Sequence, residues 1–363
     1  MTPLPLHNLH QKYGAHFSTI NGAEMAAHYG NPLDEYNALN QTVGVLDLSF
    51  RGRLCLIGAD RIRFLHGQVT NDVKRLGPWQ GCYAAITTAK GKMQSDLNIY
   101  QLEDEVLLDF EPGLQQTVSE RLNRYIVSDD VQVMEVASLY GLLSLQGPHS
   151  GEVVQSLEIF GLPPEKPLSV VKASSAEFGE AYLINQSRIG IRGFDLFVPA
   201  QAAATLMEKL LSGATAFGGR LCGWQSMEMR RIEAGIPRFG LDIDETHFPQ
   251  ECGIEERAVS YSKGCYIGQE VLNRIHTLGH VNRELTGLRF SSDLNALPVK
   301  GDKLINGNKE VGYVTSAVDS PSLKAKIGLG YVRKQLDGKV LTLRTSETDH
   351  PVVLAPLPFV TQS

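Results

Sequence analysis

Apolar and polar positions alternate most cleanly along residues 92–100. Met93, Ser95, Leu97 and Ile99 fall on one face of an extended strand, and Gln94, Asp96, Asn98 and Tyr100 on the other. A second strand-like run, 81–87, precedes it, and Thr88-Ala89-Lys90-Gly91 between them reads as a hairpin turn. Upstream, Leu54-Cys55-Leu56-Ile57 predicts a strand that passes through Gly58-Ala59-Asp60 into a helix over 61–66, with Asp60 placed as its N-cap. Downstream, the pattern predicts a strand over 105–110, a helix over 113–125 and a strand over 131–136.

The same order recurs from 140 to about 223: a strand over 142–145, a helix opened by Gly147-Pro148-His149-Ser150, strands over 181–185 and 194–199, and a helix over 202–211. Two segments with this order predict tandem α+β units of split βαβ type. A helix over 225–233 follows, stopped by Ala234-Gly235 with Pro237 just beyond. The loop-rich stretch 238–264 carries Phe248, Ile254, Val259 and Tyr261, which predicts an ordered loop that bears a site. From residue 285 onward come strands over 285–290, 303–305, 310–314, 326–332 and 340–344, with Asn306-Gly307 as a hairpin signal. This spacing predicts a small β-barrel or sandwich.

At 363 residues the chain is long enough for two or three cores. With 42% hydrophobic and 20% charged residues it reads as globular, and its apolar runs are too short to predict a membrane partner. The first residues predict neither a secretory signal nor a transit peptide, hence a cytoplasmic location. A net charge of -6 argues against nucleic acid held directly through phosphates. Five widely spaced cysteines with no C-x-x-C pair fit neither a disulfide framework, nor a zinc site, nor a cluster held by this chain alone, so no metal site is expected.

Candidate chemistry concentrates in Ser262-Lys263-Gly264-Cys265-Tyr266-Ile267-Gly268-Gln269-Glu270. An ammonium close to a thiol favours the thiolate, so Lys263 can activate Cys265; alternatively the glycines simply shape a turn around a buried cysteine. On 92–100, Asp96 between two amides suits a ligand with adjacent N–H donors, such as a pterin, or else belongs to a solvated sheet face. On the helix from 225, Met227 and Arg231 share a face. Arg231 is either a ligand clamp or the partner of Glu228 three residues earlier. Arg274, His276, His280 and Arg283 cluster after the motif and can receive an anionic ligand tail or an acidic partner. No Walker loop, H-E-x-x-H pair or G-x-S-x-G elbow is present.

Lys263-Gly264-Cys265-Tyr266-Ile267-Gly268-Gln269-Glu270 resembles the signature of the YgfZ family, tetrahydrofolate-binding iron-sulfur cluster assembly proteins related to the T-protein of glycine cleavage. Gly67-Gln68-Val69-Thr70-Asn71-Asp72-Val73, Ala89-Lys90-Gly91-Lys92-Met93, Ile232-Glu233-Ala234-Gly235-Ile236-Pro237 and Phe248-Pro249-Gln250-Glu251 agree with it. The resemblance implies an α+β fold: two ferredoxin-like modules plus a C-terminal β-barrel, in a T-protein-like ring of three domains around a folate channel. The first module would comprise 1–50 with 138–235, the second 51–137 with 236–283, and the barrel 284–363. It further implies tetrahydrofolate or a derivative as cofactor, iron-sulfur client proteins or assembly factors as partners, and downstream effects on enzymes such as those that modify tRNA. Catalysis itself is left open by it.

On this resemblance Cys265 would be the reactive thiol with Lys263 promoting it, and Asp96 would meet the pterin edge. Met227 and Arg231 would line the channel, and Gln269 with Glu270 would hold the loop or contact a partner. The rival expectation is a folate-dependent aminomethyltransferase or demethylase on the same scaffold, and a third is a scaffold that folate merely stabilises. Departures from the T-protein weigh against aminomethyl transfer: Ser95-Asp96 stands where that enzyme has two aspartates, its Gly-Tyr-Thr-Gly-Glu segment has no counterpart near 188–195, and Ser226-Met227-Glu228 replaces its Ala-Arg-Asp.

Overall fold

The computed structural model describes residues 2–336, 338, 340–344 and 348–360. Among these, strands form a two-stranded hairpin, a five-stranded sheet, a six-stranded sheet and a closed barrel. The five-stranded sheet runs Gln80–Thr87, Met93–Gln101, Val106–Phe110, Gly52–Ile57, Gln132–Glu135. Its outer face is covered by the helices Arg61–Gln68 and Gln115–Asn123 through Phe64, Leu65, Val118 and Leu122 packed on Leu97, Ile99 and Leu108. The six-stranded sheet runs Val170–Ser175, Gly179–Asn185, Gly193–Pro199, Tyr140–Gln146, Gly44–Asp47, Arg220–Leu221, and buries one face under the helices Ser150–Ser156 and Ala203–Ala216.

The uncovered faces of the two sheets meet each other. Tyr100 and Leu107 from one pack with Leu142, Tyr182 and Phe197 from the other, and Tyr100 meets Phe197 edge-on at 6.1 Å. The polar face of 92–100 is therefore not a wet exterior; it looks into the space between the sheets. Its alternation also breaks. Ile86 pairs with Ser95 but Thr87 pairs with Met93, leaving Gln94 as the extra residue of a β-bulge. Met93 thus joins Ala85 in a separate core, and Gln94 instead receives the Arg121 Nε at 3.0 Å.

Asp60 sits at the N-cap position, but its side chain does not cap the helix Arg61–Gln68. It accepts from the Asp130 backbone N–H at 3.0 Å, while Asp130 returns the contact to the Ala59 N–H at 3.0 Å, a reciprocal clasp between helix start and edge strand. The 238–264 stretch contains one short helix, Glu255–Ala258, with Ile254 and Ala258 fully buried. The barrel needs one strand more than the alternation predicts: Asp349–Ala355 pairs with both Val340–Arg344 and Arg283–Phe290 and closes the ring. No helix among the described residues is long and apolar enough to cross a membrane.

Three of the motif segments pack as one node. Gly268 has φ +93°, and a Cβ there would stand 2.5 Å from Thr87 Oγ1 and 2.7 Å from the Thr88 carbonyl oxygen, so only glycine fits. Thr87 Oγ1 donates to the Ile267 carbonyl at 2.8 Å, and the Ile267 N–H donates to the Gly67 carbonyl at 3.2 Å. Gly268→Ala is expected to cost about 1–3 kcal/mol from the left-handed backbone alone, with further loss from the clash. A lowered guanidinium chloride midpoint at unchanged m-value would show it.

Candidate functional site

A cavity of about 420 Å³ lies between the two sheets, and the helix Trp224–Glu233 and the chain that follows it complete its wall. That volume is within the range of small-molecule sites. Asp96 and Asn98 project into it from the bulged strand, Tyr83 from the neighbouring strand, and Met227 and Arg231 from the helix. Asp96, Met227 and Arg231 are thus brought together from two separate elements.

Most of the charge on this wall is already paired. Asp195 accepts from Arg188, whose Nη2 also reaches Asp109 Oδ2 at 2.7 Å. Asp109 Oδ1 takes Arg51 Nε at 2.7 Å, and the Arg51 guanidinium continues to Glu111. Glu111 then takes Arg238 Nε at 3.3 Å, and Arg238 Nη1 reaches Glu228 Oε1 at 2.6 Å. Glu228 takes Arg231 Nη2 at 2.8 Å, and Arg231 ends on Asp242, whose other oxygen accepts from Thr315 and Ser316 of the barrel. Carboxylates and guanidiniums alternate along this chain of contacts, which crosses both sheets, the helix and the barrel.

Burial pushes the Asp109 carboxyl up, but Arg188 and Arg51 overcome that and hold it well below the usual carboxylate range. Glu111 and Glu228 are lowered in the same way, against burial, by their guanidinium partners. Asp96 behaves oppositely. Burial raises it, and the Tyr83 hydroxyl, donating at 2.6 Å, only partly offsets the rise. Of the carboxylates lining the cavity, it is the one with no ion pair to a guanidinium or ammonium among the described residues. Arg257 is exposed at the cavity wall over the Tyr83 ring at 5.1 Å and, among the described residues, forms no salt bridge.

The Cys265 loop lies outside this lining. Cys265 is exposed, unlike the other four cysteines, of which Cys82 lines the cavity half-buried and is pushed up by burial to about 12. Lys263 is 6% exposed, and its ammonium donates to the carbonyls of His66 at 2.6 Å, Val69 at 2.6 Å and Asn71 at 2.9 Å. Burial pushes its pKa down to about 8, yet three carbonyl acceptors require three protons on Nζ. Gln269 opens the helix Gln269–Leu278, with Nε2 3.4 Å from the Lys263 carbonyl oxygen, and Glu270 is exposed. Of the basic cluster, His276 stacks on Tyr261 and pairs with Glu255, and Arg283 pairs with Glu251; neither lines the cavity.

Loop and cavity are joined through one segment. The Asn71 carbonyl accepts from Lys263, while its side-chain amide donates to the carbonyls of Tyr83 at 2.8 Å and Arg257 at 2.9 Å. Asn71 itself lines the cavity.

Sequence reasoning missed Arg51, Asp109, Arg188, Asp195 and Asp242. A signal existed for two of them: Asp109 interrupts Val106-Leu107-Leu108-Phe110, and Asp195 interrupts Phe194-Leu196-Phe197-Val198. An acid inside a fully buried apolar strand requires a cation nearby, and both share Arg188. Their partners, supplied from other parts of the chain, carry no such local mark.

Residues 6–263 match the family described as the GCVT N-terminal domain, and residues 283–361 match the glycine cleavage T-protein C-terminal barrel domain. The chain belongs to this T-protein family. Among its relatives, the aminomethyltransferase of Geobacillus thermodenitrificans is 28% identical over 333 residues, 92% of this chain and 90% of the relative. That of Symbiobacterium thermophilum is 29% identical over 339 residues, 90% and 88% of the two chains. The crystal structure of the glycine cleavage system aminomethyltransferase T from Bartonella henselae superposes with a TM-score of 0.85 at 23% identity, covering 99% of this chain and 98% of that one. The T-protein relationship and fold are thereby established; the YgfZ branch is not separated from the rest of the family by these likenesses.

Removing one partner from the buried chain strands the others. Asp109→Asn is expected to lower stability at pH 7 by about 3–5 kcal/mol. Because Asp109 is depressed in the folded state, its contribution is present above the unfolded carboxylate value of about 4 and is lost as pH falls below it. Urea midpoints measured against pH should therefore show a shallower acid limb for the variant than for the wild type.

Proposed function

We propose that this protein binds a reduced folate in the cavity between its sheets and uses it in one-carbon transfer, with Asp96 as the proton-handling group. The observation that carries this reading is the condition of Asp96: a cavity carboxylate raised by burial, held by one tyrosine hydroxyl and by no guanidinium. Such a group binds adjacent N–H donors, and a carboxyl raised by burial holds a proton more readily than an ordinary one, so it can take one from a ligand and return it. Bound there, a reduced folate supplies a nucleophilic ring nitrogen that carries one-carbon units. Arg257, exposed and without a salt bridge among the described residues, offers a counter-charge for the folate carboxylates. The aminomethyltransferase relatives match over nine-tenths of the chain, which supports transfer of an aminomethyl or N-methyl carbon.

One departure from the T-protein loses force. Ser95, at the first position of that enzyme's paired aspartates, is fully buried and absent from the cavity wall, whereas Asp96 keeps the lining position. Met227 is the more consequential change, since it puts a thioether on the wall where the T-protein has a guanidinium. The transferable carbon in this protein is therefore expected on a smaller or less anionic donor.

A second reading has its own observation. Cys265 is exposed on a loop pinned by Lys263 and Gly268, a thiol presented outward. This supports the narrower YgfZ-type role, in which a folate-loaded protein assists assembly or repair of iron-sulfur proteins through contact with their thiolates or clusters.

Tetrahydrofolate should raise the melting temperature of the wild type with increasing concentration, because a ligand of the native state stabilises it by mass action. Asp96→Asn should abolish that rise while leaving the ligand-free protein as stable or more so. The sign follows from burial: Asp96 is raised above its unfolded value, so its ionisation penalises the fold as pH climbs through the folded value, and asparagine removes the penalty. A ligand-induced shift of wild-type size in Asp96→Asn would sink the assignment. For the second reading, a Cys265→Ala strain is expected to lose activity in iron-sulfur enzymes while the purified variant still binds tetrahydrofolate; normal enzyme activity in that strain rules the thiol role out.

A further inference from the structure

A second cleft, of about 630 Å³, lies where the loop after Thr246, the chain after the helix Gln269–Leu278 and the barrel meet, and it shares no lining residue with the cavity between the sheets. Four cationic side chains line it, Lys92, Arg283, Arg333 and Lys334, with His280 beside them and Glu251 as the one carboxylate among the described residues. The chain as a whole carries a net charge of -6, so this concentration runs against its overall sign.

Arg283 is fixed in place. Its Nε donates to Glu251 at 3.1 Å, Nη1 to the Tyr313 hydroxyl at 3.3 Å and Nη2 to the Thr246 carbonyl at 3.1 Å, so Glu251 is already engaged. Arg333 is its direct cross-strand neighbour in the barrel, and like charges in that position repel. Lys92 adds a third cation, its ammonium donating to the Thr246 carbonyl at 2.7 Å and lying 3.3 Å over the Phe248 ring. Burial pushes the Lys92 pKa down; Glu251 offsets only part of the fall, and Arg283 pushes the same way as burial. Lys334 pairs with Glu284 at 3.3 Å, but Lys92 and Arg333 form no salt bridge among the described residues.

Cations set against one another around a single engaged carboxylate are a cost to the fold, and an anion seated among them removes it. We propose that this cleft binds a small polyanion, bearing a diphosphate or several carboxylates, with Arg333 and Lys92 supplying the free donors and Arg283 a fixed counter-charge. Arg333 keeps its planar fork for two oxygens of one group, and Lys92 has ammonium protons left after its bond to Thr246. The cations come from three separate segments, the turn before Met93–Gln101, the start of Arg283–Phe290 and the end of Ala325–Arg333, and converge on one concavity. That shape suits a small ligand better than the broad face of a macromolecule. The site lies apart from the cavity between the sheets, so it is independent of the folate reading.

The test is titration calorimetry at low ionic strength on the full chain with pyrophosphate and, separately, citrate, alongside melting of the ligand-free protein, for wild type, Arg333→Gln and Lys209→Gln. The wild type is expected to bind at least one of the two anions with one-to-one stoichiometry, and the tighter of them assigns the natural group as phosphate or carboxylate. Arg333→Gln is expected to bind about tenfold more weakly and, ligand-free, to melt no lower than wild type, because it removes a like charge facing Arg283. Lys209 lies in an exposed pair with Glu177 on the helix Ala203–Ala216, away from the cleft, and its loss is expected to leave binding unchanged. No binding of either anion, or wild-type affinity in Arg333→Gln, overturns the proposal. An equal loss in Lys209→Gln overturns it as well, since the attraction would then be diffuse. So does a ligand-free Arg333→Gln that melts lower than wild type, because the guanidinium would then be used within the protein. Binding of hexaglutamate without binding of either small anion overturns it in favour of an acidic chain.

Discussion

The chain of alternating carboxylates and guanidiniums from Asp195 to Asp242 is the constraint on which the rest of this structure depends. Each charge is taken out of water and is tolerable only because its neighbours stay in place. The contacts run from the six-stranded sheet through the five-stranded sheet to the helix Trp224–Glu233 and on to Thr315 and Ser316, so the relative placement of all three lobes is set by one set of ion pairs. Glu233 gives a second tie of the same kind: it is fully buried, accepts from Tyr36 near the amino terminus, and also holds Ser320 of the barrel. Apolar packing alone would allow the lobes to slide, whereas hydrogen-bonded charges fix orientation as well as proximity.

A wall built this way has little recognition capacity to spare. Arg51, Arg188, Arg231 and Arg238 line the cavity, but each is already engaged by carboxylates. What remains available is sparse: the Asp96 carboxylate, held by the Tyr83 hydroxyl, and the exposed Arg257 guanidinium. Selectivity in such a cavity comes from a few polar groups held rigidly rather than from bulk affinity.

Much of the fold was legible in the sequence because most strands of the two sheets and of the barrel carry period-two or continuous apolar runs bounded by Gly, Pro and Asn. The helix Trp224–Glu233 was marked by its Gly235 stop. What escaped had physical reasons. The bulge at Gln94 reverses faces in mid-strand, which alternation cannot register. The strand Gly44–Asp47 is buried on both sides and shows no period, and Asp349–Ala355 begins with polar residues and contains a proline. In the site, Asp96 was legible as a carboxylate between amides, and Met227 and Arg231 as one helix face. Arg51 and Arg188 were not, because an ion pair between distant segments leaves no trace in the residue order.

The Lys263-to-Glu270 motif shows how a sequence signature can combine two kinds of constraint. A lysine beside a cysteine suggests thiol activation, yet all three Lys263 donors are spent on the carbonyls of His66, Val69 and Asn71. Gly268 is required by its approach to Thr87 and Thr88, and Ile267 is bonded to Thr87 and Gly67. These residues would be needed for packing even if the loop carried no chemistry. Cys265 differs: it is exposed. Framework and function can therefore be separated residue by residue within the motif. Asn71 connects the parts, since the same residue accepts from Lys263 and lines the cavity. A change at Lys263 thus alters both the loop and the cavity wall, whereas a change at Cys265 leaves the wall intact. Only the latter isolates the chemistry of the thiol from the integrity of the site.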